Sequence, residues 1–156
     1  MTPDSNMHEF LTFHVVGQAF GISVLQVNDV LNEREITRPP LSPASIAGVM
    51  NLRGRIVTII DVRRCLNQPP RPVNIPGMNI VIEQDGELIS LLVDSVGDVM
   101  AIDQNALENV PPTLDSNWRK IASGIYKLPQ SLWIIIEIKK LIELTKLSSI
   151  DFQEAV

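Results

Sequence analysis

The chain matches itself. Residues 17–31, GQAFGISVLQVNDVL, lie without a gap on residues 86–100, GELISLLVDSVGDVM. Gly17 falls on Gly86, Val24 on Val93, Val27 on Val96, Asp29 on Asp98 and Val30 on Val99. A second stretch behaves likewise. Residues 48–66, GVMNLRGRIVTIIDVRRCL, lie ungapped on 124–142, GIYKLPQSLWIIIEIKKLI. There Ile59-Ile60 meets Ile135-Ile136, Asp61 meets Glu137, and Arg63-Arg64 meets Lys139-Lys140. Two matches in the same order indicate a duplicated supersecondary unit.

Each unit has the alphabet of a small β structure. In the first, Leu11, Phe13 and Val15 alternate with Phe10, Thr12 and His14, the period of a half-buried strand. A turn at Gly17-Gln18 and a return over Phe20–Val24 complete a hairpin. Ser42 is placed to cap a helical turn that begins at Pro43 and ends at Gly48. Strands over Val49–Leu52 and Arg55–Asp61 turn at Arg53-Gly54, and Val62–Leu66 forms a short helical turn. In the second unit, Asp85-Gly86 marks a tight hairpin, DSNWRKIASG a capped turn, LWIIIEI a strand, and 137–147 an amphipathic helix. A unit of some 65–70 residues is too short for a sandwich and suits a five-stranded barrel that closes its own edges. The expected architecture is therefore mostly β: two SH3-like five-stranded barrels related by a pseudo-twofold, with short helices and a C-terminal helix. The boundaries expected are 9–67 for the first barrel, 68–78 for a proline-rich linker, 79–147 for the second barrel and its helix, and 148–156 for a tail. Two strands are apolar on both faces, Ile56/Thr58/Ile60 against Val57/Ile59 and Leu132/Ile134/Ile136 against Trp133/Ile135. Their outer faces must be covered, by the other barrel or by a partner.

Composition removes several function classes. The net charge of −5 disfavours nucleic acid, whose phosphates call for a basic surface, and 4% aromatic residues are too few for base stacking. The single cysteine, Cys65, cannot form an internal disulfide and lacks a neighbouring base. The longest apolar run, Leu132–Ile136, is far short of a membrane span, and the amino-terminal residues lack a signal-peptide pattern. A cytoplasmic protein is expected. The histidines, His8 and His14, both fall in the first strand region, and His14 reads as a rim residue. Asp94, Asp98 and Asp103 read as solvated or turn residues. No metal spacing, phosphate loop or nucleophile–base pair is present, so neither a cofactor nor catalysis is expected. Lys139, Lys140 and Lys146 on the C-terminal helix read as a solvated face rather than a membrane-binding one.

The copies differ at one turn. The first has Asn51-Leu52-Arg53-Gly54 where the second has Lys127–Gln130. Both sequences can turn, so Asn51, Arg53 and Gly54 are not demanded by the barrel. Arg53 is either a solvated turn residue or a cation fixed at the edge of an apolar face, and Asp29 is the candidate anion to hold it. Val24, Val27 and Val30 either line a groove for a docked helix or belong to the core, as their mates Val93, Val96 and Val99 would suggest.

At GVMNLRGRIVTIIDVR the chain resembles the CheW family of bacterial chemotaxis coupling proteins. The stretches FLTF…GQAFGISVLQVNDVL and LLVDSVGDVMAI resemble that family too, and the likeness runs from about Glu9 to Leu147. Thr58 stands where proline is usual, and Val62 where leucine is. The resemblance implies two SH3-like barrels and no catalysis. It implies a scaffold that binds the regulatory domain of the histidine kinase CheA and the cytoplasmic tip of a methyl-accepting chemoreceptor, and that is thereby recruited to receptor arrays at the membrane. An adaptor of another receptor–kinase pathway, such as twitching motility or development, is the alternative. The family's receptor-contacting positions fall on Val27 and Arg53, with Val24 and Val30 beside them. Its kinase-contacting positions fall on Asp29, Ala47 and Ile56. Asp29 replaces a Glu common in relatives, and Ala47 a frequent Lys.

Overall fold

The computed structural model describes residues 6–38 and 44–145. Ten strands run β1 Met7–Val15, β2 Gln18–Ser23, β3 Val27–Asn32, β4 Ile46–Leu52, β5 Arg55–Asp61, β6 Met78–Gln84, β7 Glu87–Val93, β8 Ser95–Asp103, β9 Ala122–Leu128 and β10 Ser131–Ile136. Three short helices join them: α1 Val62–Cys65, α2 Ser116–Arg119 and α3 over 138–145. Single 3-10 turns follow β2 and β8. The expected cap at Ser42-Pro43, the end of the C-terminal helix and the tail lie outside the described residues.

The strands form two five-stranded sheets, in the orders β8-β1-β2-β10-β9 and β3-β6-β7-β5-β4. Exchanging each strand for its mate in the repeat turns one order into the other. Neither sheet is a contiguous stretch of chain, however. The β1–β2 hairpin joins β8, β9 and β10, and the β6–β7 hairpin joins β3, β4 and β5. The expected division at the proline-rich segment is thus corrected: residues 9–67 and 79–147 each contribute to both sheets. Local pattern could not show this, because a hairpin is satisfied internally wherever it docks. The docking is by parallel pairing. Ile134 lies opposite Phe20, and Thr58 opposite Ile89, so the two junctions share one register under the repeat.

Closure is also more economical than a continuous ladder. The outer strands β3 and β4 of one sheet, and β8 and β9 of the other, are not paired as strands. Among the described residues each seam is joined instead by one backbone bridge beyond the strand end. Thr37 and Val49 exchange hydrogen bonds of 2.9 and 2.7 Å, and Glu108 and Ile125 exchange two of 2.9 Å. The matched glycines sit at these seams. A Cβ on Gly48 would lie 2.7 Å from the Thr37 carbonyl oxygen, and one on Gly124 3.0 Å from that of Glu108. Gly48, expected to stop a helical turn, lies inside β4 because close approach across the seam requires a residue without a side chain.

The two-sided strands now have an explanation. Ile60, Ile134 and Ile136 point into a core shared by both sheets, together with Leu11, Phe13, Val15, Phe20, Ile80, Ile82 and Leu91. Val57 and Ile59 point the other way, into a private cluster with Met50, Leu52, Val81 and Leu92. Ile135 joins Phe10 and Ile102 in the private cluster of the other sheet. Truncating any shared-core isoleucine to alanine costs about 2–5 kcal/mol, so the sheets hold each other.

Two local expectations are corrected. The first hairpin turns at Val16-Gly17, one residue earlier than expected, with φ of 51° and 75°. A positive φ is unusual for a β-branched residue. It is held by the Val16 N–H, which donates to Asp94 Oδ2 at 2.8 Å. Asp94, in turn, is not a solvated carboxylate. Arg63 on α1 grips it with two parallel bonds, Nε to Oδ1 at 2.8 Å and Nη2 to Oδ2 at 2.6 Å. The side chains are only 14% and 19% exposed. The same guanidinium donates to the Pro69 carbonyl at 3.0 Å, and the Asp94 N–H donates to the His14 carbonyl at 3.1 Å. One ion pair thus fastens α1, the proline-rich segment and the strand crossover to the β1–β2 turn. Burial pushes the Asp94 carboxyl up, but the hydrogen bonds from Arg63 and the Val16 N–H, with the charge of Arg63, outweigh it and hold the group below its ordinary value.

Because this depressed group stabilises the folded state when ionised, its contribution is present above the ordinary carboxyl value of 3.8 and is lost as the pH falls through the lower folded-state value. Asp94→Asn is expected to cost about 2 kcal/mol at pH 7, between the values for exposed and fully buried pairs. Urea unfolding should show the gap to the parent protein closing in strong acid; a gap independent of pH would contradict the assignment. Gly48→Ala is expected to cost about 2 kcal/mol and to speed hydrogen exchange at the Thr37 and Val49 amides, because the bridge cannot form around a methyl group. Unchanged protection of those amides would contradict the seam account.

Candidate functional site

The site is built where the edge strand β3 approaches the β4–β5 turn across a seam. A bulge at Asn28 sets which β3 side chains face where, since Val27 pairs with Ile82 but Asp29 already pairs with Val81. Ile82 and Ile80 face the shared core, so Val27 and Val30 lie on that face and pack, half-buried, at its margin. Val81 faces the private cluster, so Asp29 and Leu31 turn to the opposite side. Val24 lies in the 3-10 turn before β3 and is half-buried. The valines are therefore core margin and exposed surface at once.

Asp29 uses its two oxygens differently. Oδ1 accepts the Val30 N–H at 2.9 Å, and Oδ2 accepts Arg53 Nη2 at 2.9 Å. The first bond satisfies an amide of an edge strand. The second spans the seam. Arg53 is a solvent-exposed turn residue, and the shorter aspartate nevertheless reaches its guanidinium. The pair is 73% exposed at Arg53 and 24% at Asp29. At that exposure it contributes about 0–1 kcal/mol, so its role is to aim the guanidinium rather than to hold the fold.

The turn is shaped for this. Arg53 and Gly54 have φ of 52° and 83°, the signature of a two-residue type I′ hairpin turn. Asn51 Oδ1 accepts the Gly54 N–H at 3.0 Å and ties the corner. In the second copy Pro129 stands where Arg53 does, and its ring forbids a positive φ. The same loop length is thus reached with a different backbone: the first copy carries its cation, Arg53, at the turn itself, whereas the second carries Lys127 two residues earlier, paired with Glu108 at 3.5 Å. Leu52, within the same four residues, is 4% exposed and belongs to the private core.

Ile56 follows the turn, paired with Asn51 across β4–β5 and 66% exposed. It borders a shallow depression of about 280 Å³, shared with Ile36, Thr37, Val49 and Asn51. Ala47 lies in β4 and packs, half-buried, against the private cluster. The structure therefore gathers Asp29, Arg53, Asn51, Gly54 and Ile56 along one seam. Val27 and Val30 share the other face of β3, and Leu52 and Ala47 support from behind.

The sequence reading missed two ion pairs that secure the surroundings: Arg63–Asp94, and Arg71–Glu33 at 2.5 Å. The first carried a signal. Asp94 departs from the repeat, in which its mate is Leu25. The second had none, because Glu33 and Arg71 are distant in sequence and outside both matched stretches. His14 is half-buried and edge-on to Trp133 at 5.7 Å, consistent with a rim position. Burial pushes the Cys65 thiol up, against the direction that activates a thiol. Among the described residues no three His, Cys, Asp or Glu side chains are grouped to hold a metal ion. No helix among them is long and apolar enough to cross a membrane.

Known proteins resemble this chain over most of its length. The family model described as the CheW-like domain matches residues 9–146. The probable chemotaxis protein CheW of Rhizobium etli is 28% identical over 138 residues, covering 88% of this chain and 89% of that protein. The chemotaxis protein CheW of Thermotoga maritima is 29% identical over 135 residues, covering 86% and 87%. Among solved structures, the scaffolding protein TtCheW from Thermoanaerobacter tengcongensis superposes with a TM-score of 0.77 at 30% identity, covering 87% of this chain and 92% of that one. The family match over residues 9–146 and the likeness to a solved scaffolding protein together place this chain in the CheW-like domain family of chemotaxis scaffold proteins.

Proposed function

We propose that this chain is a non-enzymatic coupling element that joins a chemoreceptor to the histidine kinase CheA, using the two faces of β3 and the corner beside it. The observation that carries the reading is the Asp29–Arg53 pair across the seam. It fixes a solvent-facing guanidinium between a half-buried valine face and an exposed isoleucine. The receptor's helical hairpin supplies apolar anchors for Val24, Val27 and Val30, and an acceptor for Arg53 at the rim. The kinase's regulatory domain meets Ile56 and the Asp29 side of the seam, with Ala47 beneath. Recruitment to the membrane follows from the receptor, not from insertion by this chain. The names of the relatives, chemotaxis protein CheW in organisms as distant as Rhizobium etli and Thermotoga maritima, support this pathway over another receptor–kinase system.

The test is co-sedimentation of the purified protein with receptor-containing membranes, with and without the kinase. Arg53→Glu is expected to fold as the parent does, since the pair contributes little stability. It should bind receptor membranes at least tenfold more weakly. Ile56→Asp should reduce kinase recruitment while leaving receptor binding intact. A folded Arg53→Glu protein that binds both partners at parental strength overturns the assignment, and an unfolded one makes Arg53 structural.

A further inference from the structure

The pseudo-twofold predicts two equivalent ends for the shared core, and they are not equivalent. At one end the Arg63–Asp94 pair locks the surface. Beside it the indole of Trp118, delivered by α2, packs edge-on to Phe20 with ring centroids 5.4 Å apart. At the other end the mate of Arg63 is Lys139, that of Asp94 is Leu25, and that of Phe20 is Ile89. Leu25 is 87% exposed. No ring among the described residues covers Ile89 as Trp118 covers Phe20. Two adjoining depressions of about 240 and 200 Å³ open there, between the β6–β7 turn and α3. They share Glu87, Ile89 and Ile142, and Ile46 and Ile60 complete the apolar floor of the second.

The charges around this groove are lopsided. Asp85, Glu87 and Glu143 line it, three carboxylates against the ammonium of Lys139, with the Arg55 guanidinium beside them donating to the Gly86 carbonyl at 3.2 Å. From the apolar floor and the acidic rim we infer that the groove docks a short segment of a partner protein, one bulky apolar anchor flanked by Lys or Arg. The anchor takes the place on Ile89 that Trp118 takes on Phe20. The cationic flanks answer the carboxylates, which steer and select more than they bind. The groove shares no residue with the seam assigned to receptor and kinase, so it stands apart from that reading.

The probes are two synthetic helical peptides with the same central tryptophan, one flanked by lysines and arginines, the other by glutamates. Each is titrated into the full-length protein carrying ¹³C-labelled isoleucine methyls. The basic peptide should shift the Ile89 and Ile142 signals, and its affinity should fall at least tenfold in the surface double variant Glu87→Lys/Glu143→Lys. The acidic peptide should bind that variant and not the parent. A basic peptide that leaves those methyls unmoved at millimolar concentration overturns the inference, as does equal binding by parent and variant. In the free protein, a nuclear Overhauser contact from Leu41 or Phe152 to Ile89 or Ile142 overturns it too, because the chain's own residues would then fill the groove.

Discussion

Everything in this structure depends on the exchange of hairpins between the two halves. Each sheet is completed by a parallel contact that no single unit can make alone: β2 on β10 in one, β7 on β5 in the other. Parallel neighbours need a crossover; between β5 and β7 it is α1, the proline-rich segment and β6, and between β2 and β10 it is the chain from β3 to β9. The isoleucine-rich faces of β5 and β10 are buried as a consequence, against side chains from both sheets. The apparent excess of apolar residues on these strands is therefore the material of an internal interface. Among the described residues the shared cluster is the largest, and the two private clusters are small beside it.

Duplication sets the frame, and departures from it set the individual surfaces. Glycines are matched where chains must approach closely at the seams. Residues are unmatched where something local happens: Arg53 against Pro129, Asp94 against Leu25, Phe20 against Ile89. The first of these projects a charge. The second converts one end of the shared core into an ion-paired lock. The third puts an isoleucine in place of a ring, and Ile89 lines the groove at that end.

The electrostatics divide by exposure. Arg63–Asp94 is shielded, bidentate and tied into three further backbone contacts, so it acts on the fold. Arg53–Asp29 is solvent-exposed and single-bonded, so it acts on orientation. The same two residue types serve opposite ends because burial, not chemistry, decides what a pair contributes.

The strands, three of the hairpin turns and the duplication were legible in the sequence, because alternation and turn chemistry act over a few residues and leave a local record. So was the candidate corner, since Asn51, Arg53 and Gly54 stand out against the second copy. The composition of the sheets was not legible. Docking of β1–β2 onto β10 leaves the internal pattern of either hairpin unchanged, so contiguous units looked sufficient. The place of Asp94 was hidden because its partners, Arg63 and the Val16 amide, lie 31 and 78 residues away. The slip of the first turn to Val16-Gly17 follows from the same distant bond. Sequence alone determined which residues could form strands and which turn could carry a charge. Tertiary structure alone decided which hairpin completed which sheet and whether Asp29 met Arg53, because those outcomes are set by contacts between segments that carry no mark of one another.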